Sequence, residues 1–383
     1  MNLNYSIFAN EALCFSRAEI ITLGAIKTPL PFNDSTSKPA YNAPLGKWLR
    51  LHSDDGFVGE VPCSALMESF ILPQILNGKT RNHSEWYEDL FWSLRSSGFS
   101  TAYATEIGKW DIACHDIFAK RRSLPLHRLF NAANDSVRFY ASGGGVNITD
   151  EQLAAEVQGY VDAGYDTVKM KVGSGRGSDI QRDLRRVEMV RDILGPKRFL
   201  AVDANEVWSW REALAFAEKI EQYNIDWFEE PVHSLDFAGL RELTSRCPFD
   251  VSMGESFENA GGFLVYIEYG ARHLQPVLSN FISVADWFAV KDMVFERGLR
   301  MSGGGFSHIT AALMATGDDE HCILEYLLPR RKALEPYFDV CSCVENGRIY
   351  LPETPGTPLT LNLEKLDSEG LIARREVFCA KRA

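Results

Sequence analysis

Three acidic residues follow one another along the chain at a constant interval. Asp203, Glu229 and Glu255 are spaced 26 residues apart, and each comes at the end of a short apolar segment. This interval is typical of one strand–helix unit, so we expect the three carboxylates at neighbouring strand ends. Adjacent carboxylates repel one another unless a cation neutralises them, and oxygen ligands with room for water suit Mg²⁺. Singly, each acid is better explained as a helix N-cap or a solvated loop residue, whereas all three in register predict a metal site.

Two lysines stand on the preceding predicted strand. In the segment TVKMKVG, Lys169 and Lys171 flank Met170, so both side chains point to the same face of the strand. Two surface lysines on an exposed strand would give the same pattern, but the strands of a parallel barrel have no exposed face. A buried lysine beside a second cation has a lowered pKa and is usable as a base. We expect Lys171 to be that base, with Lys169 as the residue that lowers its pKa and contacts a substrate carboxylate.

Other polar residues follow other predicted strands. Asn205 comes two residues after the first acid, His308 follows the glycines of GGGFSH, and Glu325 lies within CILEYLL. A lone histidine is most often structural, but a position just past a strand end is equally consistent with function. In the Glu229–Glu230 pair only one side chain can face the barrel axis, because neighbouring strand residues point to opposite sides.

A strand–helix alternation that can position these residues begins near residue 137. Eight short apolar segments are expected to be strands: VRFYASGG, TVKMKVG, FLAVDAN, IDWFEEPV, VSMGES, HLQPVL, LRMSGGG and CILEYLL. Amphipathic segments such as WREALAFAEKIEQYN lie between them and predict helices. Eight alternations over about 220 residues are typical of a parallel (β/α)8-type barrel, whose chemistry lies at the carboxyl ends of the strands.

The N-terminal region follows a different pattern. Residues 15–60 are expected to form strands, with an Asp-Gly hairpin in SDDGFVGE, and residues 64–130 are expected to be helical. The Pro- and Asn-rich loop from Thr28 to Pro44 is longer than a simple connection requires. We expect this loop and the turn near 56–64 to close over the barrel mouth. Asn33, Asp34 and Tyr41 are candidate substrate contacts, although solvated loop residues would have the same composition.

Composition excludes several classes of protein. The 383 residues contain 40 Lys and Arg against 52 Asp and Glu, a net charge of −12, which disfavours binding to nucleic acid or an anionic membrane. None of the eight cysteines forms a C-x-x-C pair, so a zinc site is not indicated. No run approaches the ~20 apolar residues of a membrane span, and the N-terminus lacks a signal-peptide pattern. We therefore expect a cytoplasmic protein with free thiols.

Together these motifs resemble the mandelate racemase branch of the enolase superfamily. The resemblance rests on KxK at 169–171, D-x-N at 203–205, E-E-P at 229–231, G-E at 254–255 and the late His308. The SDDGFVGE hairpin and the segment WDIACHDIFAKRRSLPLHRLF extend it over nearly the whole chain. It implies an α/β fold in which a modified (β/α)7β barrel, residues 131–354, lies under an α+β capping domain. That domain would comprise residues 1–130, with 355–383 folding back onto it.

The resemblance also implies a chemistry. Asp203, Glu229 and Glu255 would ligate one Mg²⁺, which would hold a substrate carboxylate. Lys171 would remove the proton α to that carboxylate, and the metal would stabilise the resulting enediolate.

The remaining site residues follow from the same resemblance. His308 would be the acid on the opposite face or at the leaving hydroxyl, Glu325 would hydrogen-bond the substrate carboxylate, and Asn205 would bind substrate. In the family an Asp after strand six pairs with the late His, but Val277 stands at that place in Leu274-Gln275-Pro276-Val277. Because Val cannot orient an imidazole, His308 is favoured as an acid rather than a base.

The expected function is therefore that of a lyase that dehydrates an acid sugar or hydroxy-diacid to a 2-keto acid. The segments YASGGG and GGGFSHITAAL look most like the acid-sugar and tartrate dehydratases of this branch. One alternative is a racemase or epimerase that uses Lys171 and His308 on opposite faces. Another is a non-catalytic relative without the His–Asp pair. A Schiff-base aldolase would explain Lys171 but not the acids. The partner is expected to be a small-molecule carboxylate, and the protein a homo-oligomer.

Overall fold

Alternating buried and exposed residues form the strands of the N-terminal part. The computed structural model describes residues 3–27, 32–36, 42–44 and 46–381. The strands of this part are β1 (Ala12–Leu13), β2 (Phe15–Leu23), β3 (Ala25–Lys27), β4 (Asn42–Pro44), β5 (Lys47–Ser53), β6 (Val58–Cys63) and β7 (Arg81–Asn82). Its helices are α1 (Leu72–Ile75), which continues a π-helical turn at Met67–Ile71, α2 (His83–Ser93), α3 (Ala102–Arg121) and α4 (Leu126–Leu129). The expected hairpin is present, because Asp55 and Gly56 turn β5 into β6.

Eight parallel strands close into a barrel, as the alternation predicts. The strands are β8 (Ser136–Gly143), β9 (Thr167–Lys171), β10 (Phe199–Asp203), β11 (Ile225–Glu229), β12 (Asp250–Met253), β13 (His273–Leu274), β14 (Arg300–Gly303) and β15 (Cys322–Leu327). Each strand pairs in parallel with the next, and β15 pairs with β8. The sixth strand is shorter than HLQPVL suggested, because pairing ends at Leu274 before a proline that has no N–H to donate.

Six of the eight barrel helices, all but the last two, begin at a side chain that caps a free N–H group. They are α5 (Asp150–Asp162), α6 (Ile180–Leu194), α7 (Trp210–Ile220), α8 (Phe237–Thr244), α9 (Ala260–Glu268), α10 (Val284–Arg297), α11 (Ser307–Met314) and α12 (Leu328–Leu334). Thr149 and Ser209 form capping boxes with the residue three positions on. Across the described residues, no helix is both long and apolar enough to cross a bilayer.

The C-terminal segment first adds two strands to the sheet of the barrel, next to β8, and then returns to the N-terminal part. It contains β16 (Phe338–Val340), β17 (Cys343–Glu345), β18 (Arg348–Tyr350), β19 (Thr360–Leu361), α13 (Leu363–Ser368) and β20 (Ile372–Cys379). The last strand pairs antiparallel with β2 in a sheet of order β20–β2–β5–β6. The first and last parts of the chain therefore share one sheet.

Helix α3 joins this N-terminal part to the barrel through buried backbone contacts. The Asp111 carboxylate accepts the Val284 N–H at 2.7 Å and also contacts His83 at 2.6 Å. Gly108 faces the segment before α10, where a Cβ would lie only 1.8 Å from the Phe281 carbonyl oxygen. Close approach at this joint therefore requires glycine.

Side chains alternate between the inside and the outside of the barrel. Met170 and Phe228 belong to the apolar layer between strands and helices, whereas Ala201 and Trp227 belong to a small cluster inside the barrel. Residues two positions further along these inward-facing rows stand one layer nearer the carboxyl ends. Asp203 and Glu229, two residues after Ala201 and Trp227, occupy that layer.

Candidate active site

Two lysines and three carboxylates form one cluster at the carboxyl ends of β9, β10, β11 and β15. Lys169 Nζ lies 3.0 Å from Asp203 Oδ2 and 2.9 Å from Glu325 Oε1, and it contacts Glu229. Lys171 Nζ lies 2.5 Å from the same Asp203 oxygen. All except Glu325 have side chains less than a tenth exposed. The parallel register places Asp203 beside both Lys171 and Glu229, so alternation along the strands produces this cluster.

Glu230 and Glu255 form a second pair of carboxylates beside the cluster. Of the two, only Glu255 was predicted from the sequence to bind the metal. Glu230 follows the end of β11 with a φ of +40°, in the left-handed region. Its Oε1 accepts the Glu255 N–H at 3.1 Å. Asn205 and Glu206 have φ values of +45° and +66°, so three non-glycine residues are strained at this rim, as is typical of functional sites. The position of Glu230 in E-E-P could have identified it as a site residue. Strict alternation along a strand, however, predicts that only one of Glu229 and Glu230 points inwards.

Asn205 lies at the same rim. Its backbone N–H donates to Asp203 Oδ1 at 2.9 Å, while its buried side-chain Oδ1 has no hydrogen-bond partner among the described residues. Glu325 accepts from Ser142 Oγ at 2.9 Å as well as from Lys169. Both predicted substrate-binding residues therefore stand beside the lysine–carboxylate cluster.

The buried charges do not balance. Burial acts to raise the pKa of Asp203, but Lys169 and Lys171 outweigh it and hold that pKa below its usual range. Burial and the charge of Asp203 raise the pKa of Glu229 well above its usual range. Burial and the charge of Glu255 do the same for the pKa of Glu230. Two lysines therefore do not neutralise the carboxylates of this site.

This excess of buried carboxylate fits a hard divalent cation. Five acidic side chains, Asp203, Glu229, Glu230, Glu255 and Glu325, share the site with two lysines. Carboxylate oxygens are the ligands that Mg²⁺ prefers. Within the described chain, no three of these acids bring their oxygens within 4.8 Å of one another, because the Lys169 ammonium lies among them. The donor chemistry of these side chains suits that cation.

Lys171 differs from its sequence expectation in the direction of its pKa. Burial and the neighbouring Lys169 act to lower this pKa, as expected. Attraction by Asp203, with smaller effects of Glu255 and Glu229, outweighs them and raises the pKa above that of a free lysine. For the protein without metal, the expectation of a lowered Lys171 pKa was therefore wrong. It took into account the charge of Lys169 but not the charges of the carboxylates on the neighbouring strands.

A cavity of about 320 Å³ lies between the barrel mouth and the N-terminal sheet. Glu255 and Glu325 line it from the barrel, and Trp48 and Pro62 line it from β5 and β6. Lys171 and Asp203 lie beneath this lining rather than in it, since neither is among the residues that bound the cavity. The cavity therefore leads to the lysine–carboxylate cluster through Glu255 and Glu325.

Val277 and Gly304, whose backbones pair, form part of the barrel wall opposite the lysines. Neither has an ionisable side chain. Strand β13 lies four strands from β9 in the closed barrel of eight, so Val277 stands across the axis from Lys171. Its backbone pairs with Gly304, where a Cβ would lie 3.2 Å from Val277 Cγ2 and 3.1 Å from Glu325 Oε2. The residue paired with Val277 on the neighbouring strand end is therefore Gly304, not His308.

His308 lies in the first turn of α11, outside the barrel interior. Its Nε2 is 3.6 Å from Cys341 Sγ and 3.6 Å from Glu335 Oε1, and its ring meets Tyr326 edge-on. Burial lowers its pKa. The preceding Ser307 lines the cavity, whereas His308 is not among the described residues that do so. The structure does not bring His308 together with Lys171.

The segment 32–36 of the long N-terminal loop contacts the barrel mouth. Asn33 donates its backbone N–H to Asn147 Oδ1 at 2.8 Å, and Ser35 Oγ donates to the Ala204 carbonyl at 2.6 Å. Asp34 accepts hydrogen bonds from Thr36. Tyr41 lies outside the described residues. This segment therefore reaches the carboxyl ends of the strands, beside Asp203.

Comparison with known proteins gives a consistent result. The sequence matches the family described as Enolase C-terminal domain-like over residues 152–366. The L-talarate/galactarate dehydratase of Salmonella typhimurium LT2 is 28% identical over 72% of this chain and 68% of that protein. The hydrophobic dipeptide epimerase of Enterococcus faecalis is 31% identical over 42% of this chain and 44% of that protein.

A solved structure has the same fold. The L-talarate/galactarate dehydratase from Salmonella typhimurium LT2, liganded with Mg and L-lyxarohydroxamate, aligns with a TM-score of 0.83 and 24% identity. The alignment covers 100% of this chain and 98% of that one.

Proposed function

Since the chain belongs to the enolase superfamily, within its mandelate racemase branch, we propose that it is a Mg²⁺-dependent lyase that dehydrates a hydroxylated carboxylic acid to a 2-keto acid. The observation that carries the proposal is the contact between Lys171 and Asp203 under a cavity lined by Glu255 and Glu325. It joins a proton-transfer group to a set of carboxylates that fits a divalent cation.

Asp203, Glu229 and Glu255 would hold the Mg²⁺. When bound, the cation supplies positive charge to the substrate carboxylate as negative charge develops there. Glu325, which lines the cavity and accepts from Ser142, is proposed to orient that carboxylate. Lys169, with contacts to three acids, would hold their side chains in place.

Lys171 is proposed as the base. Burial and Lys169 lower its pKa while Asp203 raises it, so the proton affinity of Lys171 depends on its contact with Asp203. The C–H bond α to the carboxylate breaks and its proton passes to Lys171 Nζ. The bond from the β-carbon to its hydroxyl then breaks, and the departing group leaves as water after taking up a proton. The enol that remains tautomerises to the 2-keto acid, so the net change is loss of one water.

Dehydration is favoured over racemisation by the wall opposite Lys171. A two-base racemase requires a second proton-transfer group on the far side of the substrate. Val277 and Gly304 occupy that wall, and neither carries such a group. One-sided proton removal followed by loss of a hydroxyl requires only Lys171 and a proton donor.

Proton exchange and turnover in D₂O test this proposal. The protein with Mg²⁺ would be incubated with L-talarate, galactarate and a panel of aldonates, and followed by NMR. We expect a 2-keto product from the wild type and none from Lys171→Ala. Lys197→Ala, at an exposed position before β10, is the matched control and should keep full activity. Exchange of the α-proton without product would instead identify an epimerase, and no exchange with any acid would contradict the assignment of Lys171.

The predicted role of His308 needs a separate test. As an acid at the leaving hydroxyl it would have to turn from Glu335 and Cys341 towards the cavity. If it is that acid, His308→Gln loses product formation but keeps α-proton exchange. Unchanged product formation would remove His308 from the mechanism.

A further inference from the structure

A half-buried arginine lines the cavity wall and forms no ion pair within the described residues. Arg331, in α12, lines the cavity, and its Nη2 donates to the Gly305 carbonyl. Its Nε is buried and has no hydrogen-bond partner in the part of the chain that the structure describes. A buried polar group without a partner is costly, and a charged group more so. This side chain therefore has free hydrogen-bonding capacity where a ligand would sit.

Arg330 adds a second positive charge to the same wall. It also lines the cavity, and within the described ranges no carboxylate lies within 4.0 Å of either arginine, although thirty ion pairs form elsewhere. Burial lowers the pKa of both arginines, and that of Arg331 falls to about 10, which leaves it charged at neutral pH. Glu325 attracts Arg331 from beyond ion-pair distance, and adjacent like charges remain unfavourable unless an anion neutralises them.

Side chains of opposite charge thus line one cavity. Glu255 and Glu325 come from the side of the proposed metal site, and Arg330 and Arg331 come from α12. We propose that Arg331, assisted by Arg330, binds a second carboxylate of the substrate, so that the substrate is a dicarboxylic acid. This inference rests on the proposed function, which places the reacting carboxylate at the metal end. A planar guanidinium pairs with a carboxylate through two parallel hydrogen bonds, which gives both affinity and orientation.

Matched pairs of acids test the inference by binding rather than turnover. Isothermal titration in Mg²⁺ would compare galactarate with galactonate and meso-tartrate with erythronate. Within each pair only a terminal carboxylate is replaced by CH₂OH. In at least one pair the wild type should bind the diacid about tenfold or more tightly than the monoacid. Arg331→Met should remove most of this preference by weakening the diacid alone. Arg297→Met, at an exposed position on α10, is the control and should leave the preference unchanged.

The outcomes separate the possible roles of Arg331. A merely structural role, holding Gly305, would lower Tm in Arg331→Met but leave the diacid-to-monoacid ratio as in the wild type, which would overturn the inference. Equal affinity for both acids in wild type, or no diacid binding in either pair, would also overturn it. If Arg331→Met does not fold, Arg331→Lys and Arg330→Met take its place, and both should reduce the ratio.

The same measurement distinguishes this inference from the proposed function. Lys171→Ala should keep the diacid preference while it loses α-proton exchange. A wild-type protein that prefers diacids but exchanges no proton would refute the proposed chemistry and leave the arginine site standing.

Discussion

Replacement of Lys169 by methionine should strongly destabilise the protein without metal. The ammonium contacts Asp203, Glu229 and Glu325, and its own side chain is 1% exposed. Since Glu229 is fully buried, solvent does not screen the charges that Lys169→Met would leave. Breaking a buried ion pair by removing one partner costs about 3–5 kcal/mol, because the other charge remains buried. We expect a loss in that range at pH 7, measured by urea unfolding in EDTA.

The pH dependence of this loss provides a second readout. Without Lys169, the folded-state pKa of Glu229, which is already raised, rises further above its unfolded value. A carboxyl with a raised pKa binds its proton more tightly in the folded state, so it stabilises the fold as pH falls. The gap between wild type and Lys169→Met should therefore narrow as pH falls from 7 towards the ordinary carboxyl range near about 4.

An exposed ion pair supplies the control for Lys169. Arg246 and Glu242 are 2.8 Å apart with side chains 54% and 46% exposed. Arg246→Met should cost only about 0–1 kcal/mol, with no such pH dependence. The comparison is made at pH 7. If Lys169→Met lowers the free energy of unfolding no more than Arg246→Met does, the premise that the buried charges of the site stabilise one another away from water is refuted.

Three further results are expected. Mg²⁺ should raise the Tm of the wild type, because a ligand that binds the native state stabilises that state, and EDTA should reverse the rise. The rise should be smaller in Glu255→Gln, and an equal rise would place the ion elsewhere. Gly108→Ala should lower the free energy of unfolding, since its Cβ would meet the Phe281 carbonyl. Gly159→Ala, which has open space around it in α5, should raise the free energy of unfolding by about 0.5–1 kcal/mol. Urea unfolding of both variants checks this. Buried His273 has a pKa well below its usual range, mainly through burial, so its unfolded form binds a proton more readily. Stability should therefore fall below about pH 6.5, by up to about 1.4 kcal/mol per unit, less steeply in His273→Gln, and an unchanged slope would contradict this.

Local patterns predicted the architecture. Strand–helix alternation, capping residues such as Ser209 and the Asp-Gly turn at Asp55 are each set by a few neighbouring residues, and the barrel and hairpin they imply are both confirmed. The family resemblance is confirmed as well. The 26-residue spacing also brought Asp203 and Glu229 to adjacent strand ends, because parallel strands in register carry equal spacings to one rim.

The tertiary structure decided what depends on neighbours distant in sequence. Charges from other strands set the direction of the Lys171 pKa, and a left-handed backbone turned Glu230 inwards. The pairing of strand ends put Gly304 rather than His308 beside Val277. His308 lies four residues after Gly304, across a strand-to-helix turn that carries side chains from the barrel axis to the helix layer. Residue spacing along the chain does not reveal that change of direction. Sequence alone thus determined which elements form and which residues lie near the rim, whereas packing between elements determined which side chains meet there and with what charge.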